Sequence, residues 1–309
     1  MFQFKQSAYL GLLVFAGLAT GAQAQVLESG ASKPQLGDPA RGFSYFLGLG
    51  KQTTHYSEHS EIGIRSESKS STALLITGAL YAVHPDFLVS LDNASSFAPA
   101  NTTETWLATG ATLPYEFDEV NHLYEQRAVN GPLLQTNRFS LSQNNTRLLA
   151  HYRATGPLFL VGGVNFHSQS FKRFKYQVFQ PDFVDARYVN ATTVVEETSS
   201  ELLAEIGVAL ESERVKDTPT HYSLRASVAK PLWRQLQNTG APDLRFNSTV
   251  GWDVNLEGRY SVAINSVAHI GGWAQYSFAE RGRQSYGSQE LPVAHTRSVA
   301  YGIELLWKL

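Results

Sequence analysis

Charged side chains recur at positions that an alternating chain would direct to one face of a sheet. They are Arg147, Arg153, Glu201, Glu205, Arg225, Arg245, Asp253 and Glu304. Guanidinium and carboxylate groups on neighbouring strands can form cross-strand ion pairs. Two interpretations follow: a structural network that fills and rigidifies an interior, or a charged constriction that selects permeating solutes or holds a plug.

The residue spacing gives little support for catalysis or metal binding. His221 and Ser223 are the one candidate nucleophilic pair, but i, i+2 spacing on a strand separates side chains by roughly 7 Å. The sequence contains no cysteine, which excludes thiolate metal sites and disulfides. We therefore expect no catalytic residues, no metal and no cofactor. A lipid-modifying hydrolase is the enzymatic alternative, and it would need a Ser–His–acid set facing lipid.

In the segments that carry these charges, apolar and polar residues alternate with a period of two from Gly42 onward. Near the C-terminus one face takes Val299, Tyr301, Ile303, Leu305, Trp307 and Leu309, while polar and small residues lie between them, with Leu306 as the exception. Similar alternation occurs in residues 201–211, 244–255 and 259–278. This period indicates β-strands with one apolar and one polar face.

Connection lengths distinguish between two all-β architectures. Short links are expected at 84–86, 155–157 and 255–258, and longer polar segments at 57–70, 94–104, 172–196 and 279–292. Short turns alternating with long loops are typical of a transmembrane barrel. The sequence therefore predicts an all-β fold, a closed antiparallel transmembrane β-barrel of about 12 strands with short periplasmic turns and longer extracellular loops. A secreted all-β binding protein is the alternative.

The expected spans are 43–56, 70–83, 87–96, 103–113, one within 118–142, 145–154, 157–172, 195–212, 219–233, 243–255, 259–278 and 293–309. Residues 114–144 are the least regular, because Asn121, Asn130 and Pro132 interrupt the alternation. Ten to fourteen strands therefore remain compatible with the sequence.

The N-terminus predicts export. Lys5 precedes an uncharged apolar stretch, which ends in Ala22-Gln23-Ala24. This is the layout of a secretory signal peptide cleaved after Ala24. The expected organisation is a signal peptide (1–24), an irregular segment able to enter the pore as a plug (25–41), and the barrel (42–309). The expected location is the outer membrane of a Gram-negative bacterium.

Aromatic residues near strand ends suit the boundary between lipid and water, and we assign Trp252, Tyr260, Tyr301 and Trp307 to it. The pattern Tyr301, Ile303, Leu305, Trp307, Leu309 resembles the terminal-strand signal read by the outer-membrane barrel assembly machinery. The chain length and the stretch 201–208 are similar to the translocator barrel of autotransporters. The resemblance implies a solitary barrel without a passenger.

The charge balance limits the partners. With 25 Lys+Arg against 27 Asp+Glu the chain has no excess positive charge, so we expect no nucleic-acid binding. The expected partners are outer-membrane lipid, lipopolysaccharide and the assembly machinery, and the expected state is a monomer. The expected function is that of a non-enzymatic outer-membrane barrel, either autotransporter-like or a small-solute pore with a charged lumen.

Overall fold

The computed structural model describes residues 42–118, 123–184, 192–212, 218–286 and 289–308. The predicted signal peptide, the segment 25–41 and Leu309 lie outside these residues. The strands are β1 (Phe43–His59), β2 (Ile64–His84), β3 (Phe87–Phe97), β4 (Thr102–Ala108), β5 (Thr112–Asp118), β6 (Leu123–Ala128), β7 (Leu133–Thr155), β8 (Leu158–Val178), β9 (Val194–Glu211), β10 (Thr220–Asn238), β11 (Ala241–Phe246), β12 (Gly251–Ala263), β13 (Ala268–Arg281), β14 (Gln284–Tyr286), β15 (Gln289–Leu291) and β16 (Val293–Lys308). A 3-10 helix covers Pro181–Phe183. In the described part of the chain, no helix has the length and apolar character needed to cross a membrane.

The main sheet closes into a ring. Its order is β1-β16-β13-β12-β10-β9-β8-β7-β3-β2, and β2 pairs back with β1. Neighbouring strands in the ring are antiparallel. With β4 and β11 the sheet contains twelve strands at ten positions around the circumference. The predicted closed antiparallel barrel is confirmed.

Two predicted spans share one position in the ring. The C-terminal part of β2 pairs with β3, and its N-terminal part pairs with β4. Both shorter strands pair with β7 on their other side. Between them Ala98 has a φ of 51°, and Pro99 has no N–H to donate to the ladder. The strand is therefore interrupted at 98–101 and resumes in the same position.

The region that the sequence left undecided forms a hairpin and the start of a long strand. β5 and β6 pair with each other in a separate two-stranded sheet. β7 begins at Leu133 and runs for 23 residues, so the predicted spans within 118–142 and at 145–154 are not two strands of the barrel. Pro132 lies immediately before β7 rather than within it.

One predicted turn is wrong. Residues 255–258 lie inside β12, and the chain turns at 264–267 instead. Asn255 and Glu257 are polar because they face the interior, while Leu256 between them faces outward. The actual turn is stabilised by Asn265, whose Oδ1 accepts hydrogen bonds from the backbone N–H groups of Val267 and Ala268 at 3.0 and 2.8 Å.

The two ends of the barrel differ, as predicted. At the lower end, where β1 begins and β16 ends, the connections are 85–86, 156–157, 212–219 and 264–267. At the upper end, a short turn at 60–63 joins β1 to β2, and longer segments, which include β5, β6, the 3-10 helix, β11, β14 and β15, join the other strands. Apolar side chains face outward, and Ile206 and Ile303 are 64% and 67% exposed. Polar residues fill much of the interior.

Gly163 allows β8 to approach β7 closely. A Cβ atom at Gly163 would lie 2.1 Å from the backbone oxygen of Leu148 on β7, far inside van der Waals contact. The adjacent Gly162 projects to the other face, where the nearest atom lies at 3.9 Å. A methyl group therefore has space at Gly162 and none at Gly163.

We predict that Gly163→Ala destabilises the barrel by roughly 1–3 kcal/mol through overpacking. The matched control Gly162→Ala should change the free energy of unfolding by less than about 0.5 kcal/mol. Urea unfolding of the refolded protein, followed by tryptophan fluorescence, measures both. Equal effects of the two substitutions would contradict the close approach of β7 to β8 at Gly163.

Candidate functional site

The lower ionic layer crosses the interior and consists of Asp92, Arg147, Arg225, Glu257, Arg259 and Glu304. Its centre is Glu257, which accepts hydrogen bonds from three arginines. Arg147 Nη2 and Arg225 Nη2 reach Glu257 Oε2 at 2.6 and 2.9 Å. Arg259 Nε reaches Oε1 at 2.7 Å.

The remaining carboxylates connect this layer to other strands. Arg225 Nη1 donates to Asp92 Oδ2 at 3.0 Å, and Arg259 Nη1 donates to Glu304 Oε2 at 3.0 Å. The Arg259 guanidinium also stacks over the Phe46 ring at 3.7 Å from its centroid. Three arginines and three carboxylates balance in charge, so the layer is paired within itself.

The upper ionic layer consists of Glu58, Glu104, Arg173, Glu197 and Arg281. Arg173 binds Glu104 through two hydrogen bonds of 2.9 and 3.1 Å, in the fork geometry that favours arginine–carboxylate pairs. It also donates to Glu58 at 3.2 Å. Arg281 joins Glu197 and Glu58 at 2.9 and 3.1 Å.

Neutral donors complete the upper layer, where three carboxylates face two arginines. Tyr56 donates its hydroxyl to Glu58. Asn137 donates to Glu104 at 2.8 Å and Asn238 to Glu197 at 3.1 Å. Each carboxylate thus gains a neutral partner, which offsets part of the cost of burying the surplus negative charge.

Between the layers lies a polar chamber. It comprises two cavities of about 60 and 30 Å³, and both are lined by His167 and Asp253. Carboxamide side chains supply much of the remaining wall of the larger cavity: Gln52, Gln143, Asn145, Asn165, Asn255 and Gln275. Volumes of this size hold a few water molecules.

Ion pairs in both layers join strands on opposite sides of the ring. Arg147 on β7 and Glu257 on β12 are four positions apart in a ring of ten, and Arg173 on β8 lies far around the ring from Glu58 on β1. Side chains that join opposite walls must cross the lumen. The lumen is therefore bridged at two levels.

The structure places most of the predicted charged residues in the interior. Arg147, Arg225 and Glu304 belong to the lower layer. Glu205 accepts a hydrogen bond from Ser227 at 2.6 Å, and Glu201 pairs with Arg234 at 2.9 Å. Asp253 lines the chamber.

Two predicted members lie elsewhere. Arg245 is exposed on β11, where it donates to the backbone oxygen of Pro242 at 3.0 Å. The predicted span 243–255 is broken by the connection between β11 and β12. β11 pairs with β10 in the main sheet, and Arg245 lies on its outward face because the neighbouring Phe246 is the buried residue. Arg153 lies at the lower rim, paired with Asp86 at 3.2 Å and bonded to the backbone of Pro85 and Gly156.

The sequence interpretation missed the upper layer because the strands are longer than expected. Glu58, Glu104, Arg173 and Arg281 all fall in or next to segments that were interpreted as loops. A signal was present, since Glu58 continues the inward alternation of β1 two residues beyond Tyr56, where the predicted span ends. In the lower layer Asp92, Glu257 and Arg259 were also missed, the last two because of the misplaced turn.

A serine–histidine–glutamate line lies at the lower end of the interior. Ser90 Oγ lies 3.0 Å from His151 Nε2, and His151 Nδ1 lies 3.3 Å from Glu211 Oε1. These are close to the distances expected of a nucleophile, its base and an orienting acid. They involve none of the residues that the sequence suggested for catalysis.

Access argues against catalysis at this line. Ser90, His151 and Glu211 are 3%, 1% and 3% exposed, and none of them lines either chamber cavity. An apolar cluster formed by residues of β2, β3, β7, β8 and β9 lies at this end: Leu80, Ala82, Leu88, Leu149, Phe159, Val161 and Ala209. A nucleophile needs space for a substrate next to both the attacking atom and an oxyanion site. The arrangement is suited to satisfying buried polar groups.

We predict that a fluorophosphonate probe leaves Ser90 unmodified in the folded barrel, because no substrate-sized group can reach its hydroxyl. Intact mass spectrometry of the treated protein and of Ser90→Ala measures this. Labelling that disappears in both Ser90→Ala and His151→Ala would instead identify an accessible nucleophile.

We predict that Glu257→Gln destabilises the barrel by about 3–5 kcal/mol, because three buried arginines lose their shared carboxylate. The control Glu196→Gln removes an outward ion pair with Lys172, whose partners are 49% and 48% exposed; it should cost less than about 1 kcal/mol. Urea midpoints of the refolded variants measure both. Similar midpoint shifts would contradict a central role for Glu257.

The predicted boundary aromatics lie on the outward face: Trp252, Tyr260 and Tyr301 are 44%, 55% and 57% exposed. Trp307 stacks on Tyr45 with ring centroids 4.9 Å apart at the lower end. Tyr301, Ile303, Leu305 and Trp307 follow one face of β16. Recognition of this strand by the assembly machinery stays a prediction.

Within the described ranges, no three His, Asp or Glu side chains lie close enough together to bind a metal ion.

Comparisons with known proteins identify the fold. No family model matches the chain, and no curated protein sequence matches it. The outer membrane protease OmpT of Escherichia coli superposes with a TM-score of 0.55 at 11% identity, covering 88% of this chain and 98% of that one. This likeness shows the outer-membrane β-barrel fold alone.

Two further barrels align over much of the chain, but their TM-scores are too low to support an argument. OprG of Pseudomonas aeruginosa gives 0.30 at 10% identity, covering 89% of this chain and 98% of that one. The translocator domain of NalP from Neisseria meningitidis gives 0.27 at 11% identity, covering 96% and 97%.

Proposed function

We propose that this protein is an outer-membrane barrel closed to solutes, which acts as a rigid platform for its upper connections. The observation that carries the proposal is the pair of ionic layers that bridge opposite walls. A passage would require separating buried guanidinium–carboxylate pairs in both layers, and breaking one such pair costs about 3–5 kcal/mol. Two broken pairs would leave an open state populated at less than about one part in 10⁴.

The outer-membrane location is part of the same proposal. Outward Leu, Ile, Val and aromatic side chains are exposed at levels typical of lipid contact. The lower end, with short turns, faces the periplasm, and the long upper connections face the outside. Export through the predicted signal peptide 1–24, assembly through the terminal strand, and a monomeric state complete the proposal.

An autotransporter-like role receives less support. A translocator needs a lumen through which a polypeptide can pass, whereas arginine side chains cross this one at two levels. A gated solute pore is the second candidate, because the chamber between the layers is lined by amides and by Asp253. Such a pore would conduct only while both layers were open.

We predict that the refolded protein produces no discrete conductance steps in a planar bilayer at moderate voltage. A variant carrying Arg147→Ser, Arg225→Ser and Arg173→Ser, which removes bridges from both layers, should conduct. Single-channel recording measures both proteins, and heat-modifiable gel mobility verifies that each is folded before insertion.

The outcomes separate the candidates. Silence of the native chain together with conductance of the triple variant supports closure by the ionic layers. Steady ohmic steps from the native chain would refute closure and favour an open pore. Steps that appear only at high voltage would favour the gated pore.

A further inference from the structure

A row of basic side chains lies on the outward face of three adjacent strands. His55 on β1 is directly opposite Arg297 on β16 and Lys69 on β2. All three residues are exposed. Because adjacent strands are about 4.8 Å apart, Lys69 and Arg297 lie about 10 Å from each other across the histidine.

Other outward cations have carboxylate partners, whereas the Arg297 guanidinium lies 5.7 Å from the centroid of the Phe278 ring. Arg65 forms an ion pair with Glu67, and Lys172 forms one with Glu196 at 3.1 Å. Among the described residues, no carboxylate lies within ion-pair distance of Lys69 or Arg297. Like charges held on one face of a sheet repel each other, so this row favours an external anion.

The row borders a groove on the outside of the barrel. The groove has a volume of about 470 Å³, and its walls include His55, His59, Lys69, Thr103, His295 and Arg297. Positive or neutral donors dominate these walls, and Glu67 is already paired with Arg65. A phosphate group would find several hydrogen-bond donors there.

The height of the row places it at the edge of the apolar belt. Directly below Arg297 on the outward face come Val299, Tyr301, Ile303 and Leu305. Below Lys69 come Ser71 and then Ala73 and Leu75. Lys51 lies one step above the apolar Leu49 on β1. A headgroup at this level would keep its acyl chains against the belt.

We propose that this groove binds a phosphate group of lipopolysaccharide in the outer leaflet, with Lys69 and Arg297 as the charged contacts and the His55 ring as a hydrogen-bonding group between them. The inference rests on the proposed membrane orientation, since the row is at the upper edge of the belt. It does not depend on whether the lumen is closed.

The physical basis is charge complementarity at an interface. Cationic side chains next to an anionic lipid surface gain about 1 kcal/mol each. That gain corresponds to about a fivefold change in affinity per side chain. The acyl chains add apolar contact that free phosphate lacks, so a glycolipid should bind more tightly than inorganic phosphate.

The test measures binding of diphosphoryl lipid A to the refolded chain in nonionic detergent micelles by native mass spectrometry. Lys69→Gln and Arg297→Gln should each raise the Kd about fivefold, and the double variant about 25-fold. The control is Lys230→Gln, an exposed cation on β10 whose partner on β9 is Ala204. It should change the Kd less than about twofold.

Parallel arms distinguish the source of the phosphate. Dephosphorylated lipid A and inorganic phosphate should bind at least about tenfold more weakly than diphosphoryl lipid A. Equal binding of phosphatidylglycerol would overturn the assignment to lipopolysaccharide, and equal losses in Lys230→Gln and Lys69→Gln would overturn the site. The conductance experiment is independent, so a conducting barrel would refute closure and leave the lipid result unaffected.

Discussion

Ion pairing between buried arginines and buried carboxylates governs the two layers that cross the interior of this barrel. Glu257 holds three arginines together, and Arg173 and Arg281 hold three glutamates at the level above. Removing one member leaves its partners charged in a poorly hydrated space, which is far more costly than never having placed charge there. The two layers consequently act as units, and the strands that contribute to them are held at fixed heights relative to one another.

The two layers also lie at heights where the outward face of the barrel differs in polarity. Glu304 in the lower layer lies between the outward Ile303 and Leu305, so this layer is surrounded by the apolar belt. Glu58 in the upper layer lies between Ser57 and His59, where the outward face is already polar. A spanning strand needs about 9–11 residues, whereas β7 has 23. The upper half of the wall therefore extends beyond the lipid, and its ionic layer stiffens the part that the membrane does not support.

The fold class could be predicted from the sequence because an outward apolar period of two is a strong local signal, as residues 299–307 illustrate. The charged interior was recognisable for the same reason at Arg147, Arg225 and Glu304. Strand ends were not predictable, because the outward face becomes polar above the belt and Glu58 or Arg173 then looks like part of a loop. The pairing of Arg147 with Glu257 was also inaccessible, since it depends on which strands face each other across a closed ring. The alignment of Ser90, His151 and Glu211 depends on three strand registers at once.

The pairing of β1 with β16 has a consequence for how the barrel forms. These strands pair along their length, from Ser44 with Lys308 to His59 with Val293, so the seam joins the first and last strands of the described chain. Contacts of such large sequence separation incur a high loop-closure entropy and slow the folding of all-β proteins. The seam cannot form until the whole chain has been synthesised, and the Arg281–Glu58 bridge spans 223 residues of sequence. Until closure, the arginines and carboxylates of both layers lie on an open sheet, so water must solvate them before they can pair across the lumen.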